Sequence, residues 1–241
     1  MKIYTEKNYD DLSRKAAQII ASQVLLNEKS VLGLATGDSP KGLYKQLADW
    51  NSKGYLDFSE VSTVNLDEYC GLAPDNDQGY RYFMNENLFK HINIKAENTH
   101  VPNGMAQDAE YECVRYESLI SKLGGVDLQL LGMGYNGHIA FNEPGDTFIA
   151  DTHRVDLTES TIEANKRFFN SANEVPRQAY TMGIKTIMKA RRILIIVSGA
   201  GKAQIVKEAF FGPITPRVPA SILQLHDNVT LVGDEAALSL L

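Results

Sequence analysis

Along the chain, short apolar runs rich in β-branched residues alternate with longer segments whose apolar positions recur every three or four residues. The runs are SVLGLAT (30–36), VSTVNL (61–66), VDLQLLG (126–132), RILIIVS (192–198) and NVTLVG (228–233). Each reads as a strand buried on both faces. YDDLSRKAAQIIASQVLL (9–26), AQDAEYECVRYESLISKL (106–123) and GKAQIVKEAFF (201–211) each carry one apolar stripe and predict helices with a single core-facing side. The alternation predicts an α/β fold: an open, mostly parallel, doubly wound, Rossmann-like sheet with helices on both faces. No Pro/Gly/Ser-rich linker, low-complexity tract or internal repeat interrupts it, so a single domain over 1–241 is expected. NGHIAFNEPGDTF and FFGPITPRVPAS read as long functional loops.

In such a sheet, ligands gather beyond the carboxyl ends of the strands, so the loops after 36, 66, 132 and 198 belong together. In ATGDSPKGLYKQL (35–47) the strand is expected to end at Thr36, Gly37 permits a tight turn, and Pro40 suits a helix start. Backbone N–H groups and the Ser39 hydroxyl would then face an anion at a helix N-terminus. An ordinary helix cap is the alternative, and Asp38 opposes an anion unless its side chain turns away. SGAGKAQIVKEAF (198–210) repeats the strand, glycine and helix order, with Lys202 in the first helical turn. A cation there opposes the helix dipole unless an anion compensates it; a solvent-facing lysine is the other reading.

NLDEYCGL (65–72) sets Asp67 and Glu68 directly after a buried strand, so one carboxylate can enter the cleft while the other turns away. A carboxylate half-withdrawn from water has a raised pKa and suits proton abstraction. The alternatives are a turn with Glu68 in a salt bridge, or a metal site that lacks a third local ligand. In LGMGYNGHIAFNEPG (131–145), Gly132, Gly134 and Gly137 allow a sharp turn and close approach of a ligand to backbone. His138 can pair with Glu143 and so be held in one tautomer, with Asn136 beside them; a structural histidine is the bland reading. The three glycines match a bare GxGxxG, but loop-like sequence follows where a helix should run, which argues against a dinucleotide site. HExxH, CxxC and a serine elbow are absent from the sequence.

Charge changes the picture in one respect. Twenty-four Lys and Arg against thirty Asp and Glu give a net charge of −6, which argues against broad nucleic-acid binding, so an anionic ligand must meet cations gathered locally. Cys70 and Cys113 read as inert, unpaired side chains. No basic start leads into an apolar run and no stretch approaches eighteen apolar residues, so a cytoplasmic chain without a membrane partner is expected.

The stretches LATGDSP, TVNLDEY, LGMGYNGHIAFNEPG, NKRFF, SGAGKA and PASILQLH resemble the glucosamine-6-phosphate deaminase (isomerising) family, over about residues 30 to 233. The FNEP run after Gly-His separates that family from the 6-phosphogluconolactonases of the same superfamily. The resemblance implies conversion of glucosamine 6-phosphate and water to fructose 6-phosphate and ammonia, in amino-sugar catabolism, with neither metal nor organic cofactor. It implies that His138 opens the sugar ring, oriented by Glu143 and Asn136. Asp67 would carry the proton from C2 to C1, and Thr36, Gly37, Ser39, Arg167 of NKRFF and Lys202 would hold the 6-phosphate.

The sequence departs from that pattern in places. Asn136 stands where some members have Asp, leaving Glu143 to supply negative charge alone; Asp38 replaces a small neutral residue; and Gly79, not Ser, precedes the lid residue Tyr80. GDTFIADTHRVD (145–156) matches few of the side chains behind allosteric activation in longer members, and the sequence stops at Leu241, so such control is not expected. The family contains monomers and larger rings, and the subunit count stays open. A lactonase-like hydrolase and a non-catalytic sugar-phosphate sensor are the other readings. The sensor would add a basic helix-turn-helix, whereas the first thirty residues offer a short strand and one amphipathic helix.

Overall fold

The structure, a computed structural model, describes residues 1–158, 162 and 175–241. In chain order its main elements are β1 (Lys2–Glu6), α1 (Tyr9–Leu26), β2 (Val31–Leu34), α2 (Lys41–Ser52), β3 (Ser62–Asn65), β4 (Asp67–Tyr69), α3 (Tyr80–Asn87), β5 (Thr99–His100), α4 (Ala109–Lys122) and β6 (Leu128–Leu131). They continue as β7 (His153–Asp156), β8 (Gln178–Thr181), α5 (Ile184–Met188), β9 (Ile193–Val197), α6 (Ala203–Phe211) and β10 (Val229–Asp234). All five apolar runs form strands of one parallel sheet, in the order β1-β10-β9-β6-β2-β3-β5, with helices on both sides. Their side chains are buried throughout β2, β6, β9 and β10, as strands covered on both faces require.

The helices follow their stripes. Leu12, Ala16, Ala17, Ile20 and Val24 of α1 lie in the main core, and the Asn8 side chain caps the helix by accepting from the Asp11 N–H. Close packing of α1 on α2 depends on Gly42, where a β-carbon would stand 2.4 Å from Ser13 Oγ. At the centre of the sheet, Gln129 of β6 lies across Gly33 of β2, its Oε1 only 2.0 Å from where a β-carbon would be.

Strand order reverses direction between β2 and β6: sequence runs outward to β3 and β5 on one side and to β9 and β10 on the other. A crevice opens at such a switch point beyond the strand ends. It is bounded here by the loops after β2 and β6.

The sequence reading missed a second layer. β4, β8 and β7 form an antiparallel sheet, with Asp67 paired to Thr181 and Tyr69 to Ala179. The chain passes between sheets at Leu66, whose N–H donates to the Leu34 carbonyl and whose carbonyl accepts from Met182. The stretch from Asp67 is therefore a strand and not a loop. Further small corrections are that β2 ends at Leu34 rather than Thr36, and that a 3-10 turn at Ala200–Lys202 precedes α6. Among the described residues, no helix is long and apolar enough to cross a membrane.

Candidate active site

A cavity of about 520 Å³ lies at the switch point. Thr36 to Ser39 line it from the loop after β2, Leu66 and Asp67 from the passage between β3 and β4, and Gly132 to Asn136 with His138 from the loop after β6. Tyr80, Ala140 and Phe141 complete the wall, with the Tyr80 and Phe141 rings stacked at 6.1 Å.

The loop after β2 is fixed from behind. Gly37 has φ +93°, the left-handed turn that glycine allows. The Tyr9 hydroxyl of α1 donates toward the Asp38 and Ser39 carbonyls and accepts from the Gly42 N–H, while the Tyr44 hydroxyl donates to the Ala35 carbonyl at 2.6 Å. This holds the loop against the start of α2, where Pro40 is the cap residue. Asp38 turns out toward Lys41, 2.9 Å away.

The two adjacent carboxylates divide their tasks. Glu68 accepts from the N–H groups of Tyr69, Tyr80 and Arg81 at 2.8 to 2.9 Å, and so caps α3 from twelve residues upstream. Asp67 faces the cavity while only 6% exposed. Burial, with Glu68 adding repulsion, pushes its carboxyl up to about 8. A carboxylate so displaced is a strong base once ionised.

The opening of the loop after β6 is shaped around one imidazole. The His138 ring lies against Gly134, where a β-carbon would stand 2.3 to 2.5 Å from three ring atoms. Gly137 at φ +83° turns the chain, and its N–H donates to the Gly134 carbonyl. Ala140 holds φ +52°, unusual for a residue with a β-carbon. Phe141 N–H donates to Thr181 Oγ1, and Asn142 Nδ2 donates to the Ile139 and Met182 carbonyls, which pins this turn to β8.

His138 and Glu143 do meet, with Nδ1 and Oε1 3.3 Å apart. The approach is an ion-pair contact rather than an aligned hydrogen bond. Asn136 ties the group together: its Oδ1 accepts from the His138 backbone N–H and its Nδ2 donates to Glu143 Oε2 at 2.7 Å. An amide at 136 thus serves a purpose that a second carboxylate could not, because only the amide can donate to Glu143.

Lys202 differs from expectation. It is the cap residue of α6 and stands behind the cavity wall: its ammonium donates to the Met133 carbonyl at 2.6 Å and lies 3.6 Å from the centre of the Tyr135 ring. Burial lowers it to about 8. The Gly199 N–H is taken by the Asp234 carboxylate. Arg167 lies outside the described residues. Cys70 and Cys113 are free thiols that burial pushes up, Cys70 to about 11.

Residues 5–232 match the family model of glucosamine-6-phosphate isomerases/6-phosphogluconolactonase. A glucosamine-6-phosphate deaminase of Lachnoclostridium phytofermentans is 60% identical over 96% of this chain and 98% of its own, and one of Clostridium perfringens is 54% identical over the whole of both. The solved structure of a monomeric glucosamine-6-phosphate deaminase superposes with a TM-score of 0.97 at 46% identity, covering all of both chains. With a fold and a sequence matched end to end in this way, the chain belongs to the glucosamine-6-phosphate isomerase/6-phosphogluconolactonase family.

Proposed function

We propose that the chain is a glucosamine-6-phosphate deaminase, converting D-glucosamine 6-phosphate and water to D-fructose 6-phosphate and ammonia. The names of its full-length relatives support the reading. The observation that carries it is a buried, upshifted Asp67 facing the same cavity as a histidine backed by a carboxylate, beside the loop after β2 and the start of α2. A lactonase needs no carboxylate poised to take a carbon-bound proton.

In the mechanism, His138 takes the proton of the C1 hydroxyl and protonates the ring oxygen, opening the pyranose. Glu143 stabilises the imidazolium formed meanwhile, and Asn136 holds Glu143 in place. The open aldehyde acidifies the proton at C2. Asp67 removes it, leaving a cis-enolamine, and returns it to C1, which gives the imine at C2. Water adds to that imine, and ammonia leaves with the proton it needs, yielding the ketose. Thr36, Gly37 and Ser39 hold the 6-phosphate, joined by Lys202 and Arg167, so that binding remote from the reacting carbons fixes their position. A single domain over 1–241, a cytoplasmic site of action and independence of metal or organic cofactor belong to the same reading.

The test is to follow ammonia and fructose 6-phosphate from glucosamine 6-phosphate with a chelator present, with 6-phosphogluconolactone as parallel substrate. Equal release of both products is expected. Lactone hydrolysis without deamination, or inertness toward both, contradicts the proposal.

A further inference from the structure

Tyr135 is three-quarters exposed at the lip of the cavity and bonds to nothing through its hydroxyl among the described residues. Its ring nevertheless occupies a defined place. It packs on Gly201, where a β-carbon would come within 3.1 Å, and its face covers the Lys202 ammonium at 3.6 Å from the centroid. The same ammonium is held from the other side by the Met133 carbonyl. Lys202 is thus stationed directly behind the Met133–Tyr135 wall of the cavity, although it does not itself line it.

A free lysine stem has four rotatable bonds, and fixing them opposes any contact its ammonium makes with a ligand. A ring face and one carbonyl restrict that stem without neutralising the charge. The carbonyl contact can be exchanged for an anion while the ring stays in contact, because a cation over a ring still has donors free at its rim.

We propose that Tyr135 is a positioning residue for the phosphate of the substrate: its ring parks Lys202 against the Met133–Tyr135 wall of the cavity, and the phosphoryl group displaces the Met133 carbonyl from the ammonium. The proposal rests on the deaminase reading for its substrate, but its chemistry is the recruitment of a phosphate monoester by a ring-held lysine. A cation–π contact at an exposed site corresponds to about a two- to fivefold change in affinity.

The experiment compares wild type, Tyr135→Ala, Tyr135→Phe, Lys202→Ala and the Tyr135→Ala/Lys202→Ala double variant, measuring KM and kcat for glucosamine 6-phosphate and inhibition by inorganic phosphate. Tyr135→Ala is expected to raise KM and the phosphate inhibition constant about two- to fivefold while kcat moves less than twofold. Tyr135→Phe should restore both constants, since the ring face and not the hydroxyl makes the contact. In the Lys202→Ala background, removing the ring should add nothing. An unchanged or lowered KM in Tyr135→Ala, failure of Tyr135→Phe to restore it, or full additivity with Lys202→Ala overturns the proposal. A wild-type protein without turnover would instead defeat the deaminase reading, and phosphate binding by the five proteins, followed calorimetrically, would still decide the role of Tyr135.

Discussion

Replacing Asp67 by Asn should abolish turnover and at the same time stabilise the fold, increasingly so as pH rises. Burial moves the Asp67 carboxyl from the ordinary 3.8 up to about 8. A raised folded-state value reverses the usual carboxylate case. Below 3.8 both states hold the proton and nothing is lost; between 3.8 and 8 the unfolded chain ionises while the folded one stays neutral, so stability falls as pH rises. At about 1.4 kcal/mol per unit, the loss is roughly 2 kcal/mol at pH 5 and roughly 5 kcal/mol at pH 8, a difference on the order of 3 to 4 kcal/mol. Asn has nothing to ionise, and the cost of burying its amide is the same at both pH values. For a chain of this length, each kcal/mol moves Tm by about 2 to 4 °C, so the Tm of Asp67→Asn relative to wild type should rise by on the order of 10 °C between pH 5 and pH 8. Glu68 is present in both proteins, so its own upshift largely cancels in the comparison. Thermal unfolding of the two proteins at the two pH values is the assay. A Tm difference that does not change with pH would refute the claim that Asp67 is buried with its carboxyl pushed up to about 8.

Other consequences follow from the same geometry. The rate constant kcat/KM should climb about tenfold per pH unit between 6 and 7 as Asp67 ionises, then decline above pH 8 as Lys202 loses its proton; a pH-rate profile that is flat from 6 to 8 contradicts the base assignment. Gly134→Ala puts a methyl group within 2.5 Å of the His138 ring and should lower kcat at least a hundredfold, while phosphate binding persists in a competition assay. Glu68→Gln turns one of the two acceptor oxygens at the start of α3 into an amide that cannot accept from a backbone N–H, and the orphaned N–H should lower stability by about 1 to 2 kcal/mol in urea unfolding at low pH, where the upshifted charge of Glu68 is absent, more than an Asn substitution at the exposed Asp75.

The parallel sheet was legible because its strands are buried on both faces, and burial of that kind writes continuous apolar runs into the sequence. The antiparallel sheet was not, for its strands DEY, HRVD and QAYT are short and mixed in polarity, and Asp67 finds its partner Thr181 far along the chain. That hidden pairing is also what orients Asp67 inward and leaves Glu68 to cap α3; sequence predicted the division of labour between the carboxylates, not which neighbour would claim Glu68. His138, Asn136 and Glu143 lie within one turn of chain, so their association could be read locally. Lys202 meets Met133 and Tyr135 from a different strand end, and no local pattern signals a contact of that range.

The most direct measurement is the fate of hydrogen at C2. With glucosamine 6-phosphate carrying deuterium at C2, the wild-type protein should release ammonia and deliver some of that deuterium to C1 of fructose 6-phosphate early in the reaction, since one carboxyl group serves both carbons. Asp67→Asn should release neither product while still binding inorganic phosphate. Ammonia release with no deuterium at C1 of fructose 6-phosphate even early in the reaction, or turnover at the wild-type rate in Asp67→Asn, would contradict the account at its centre.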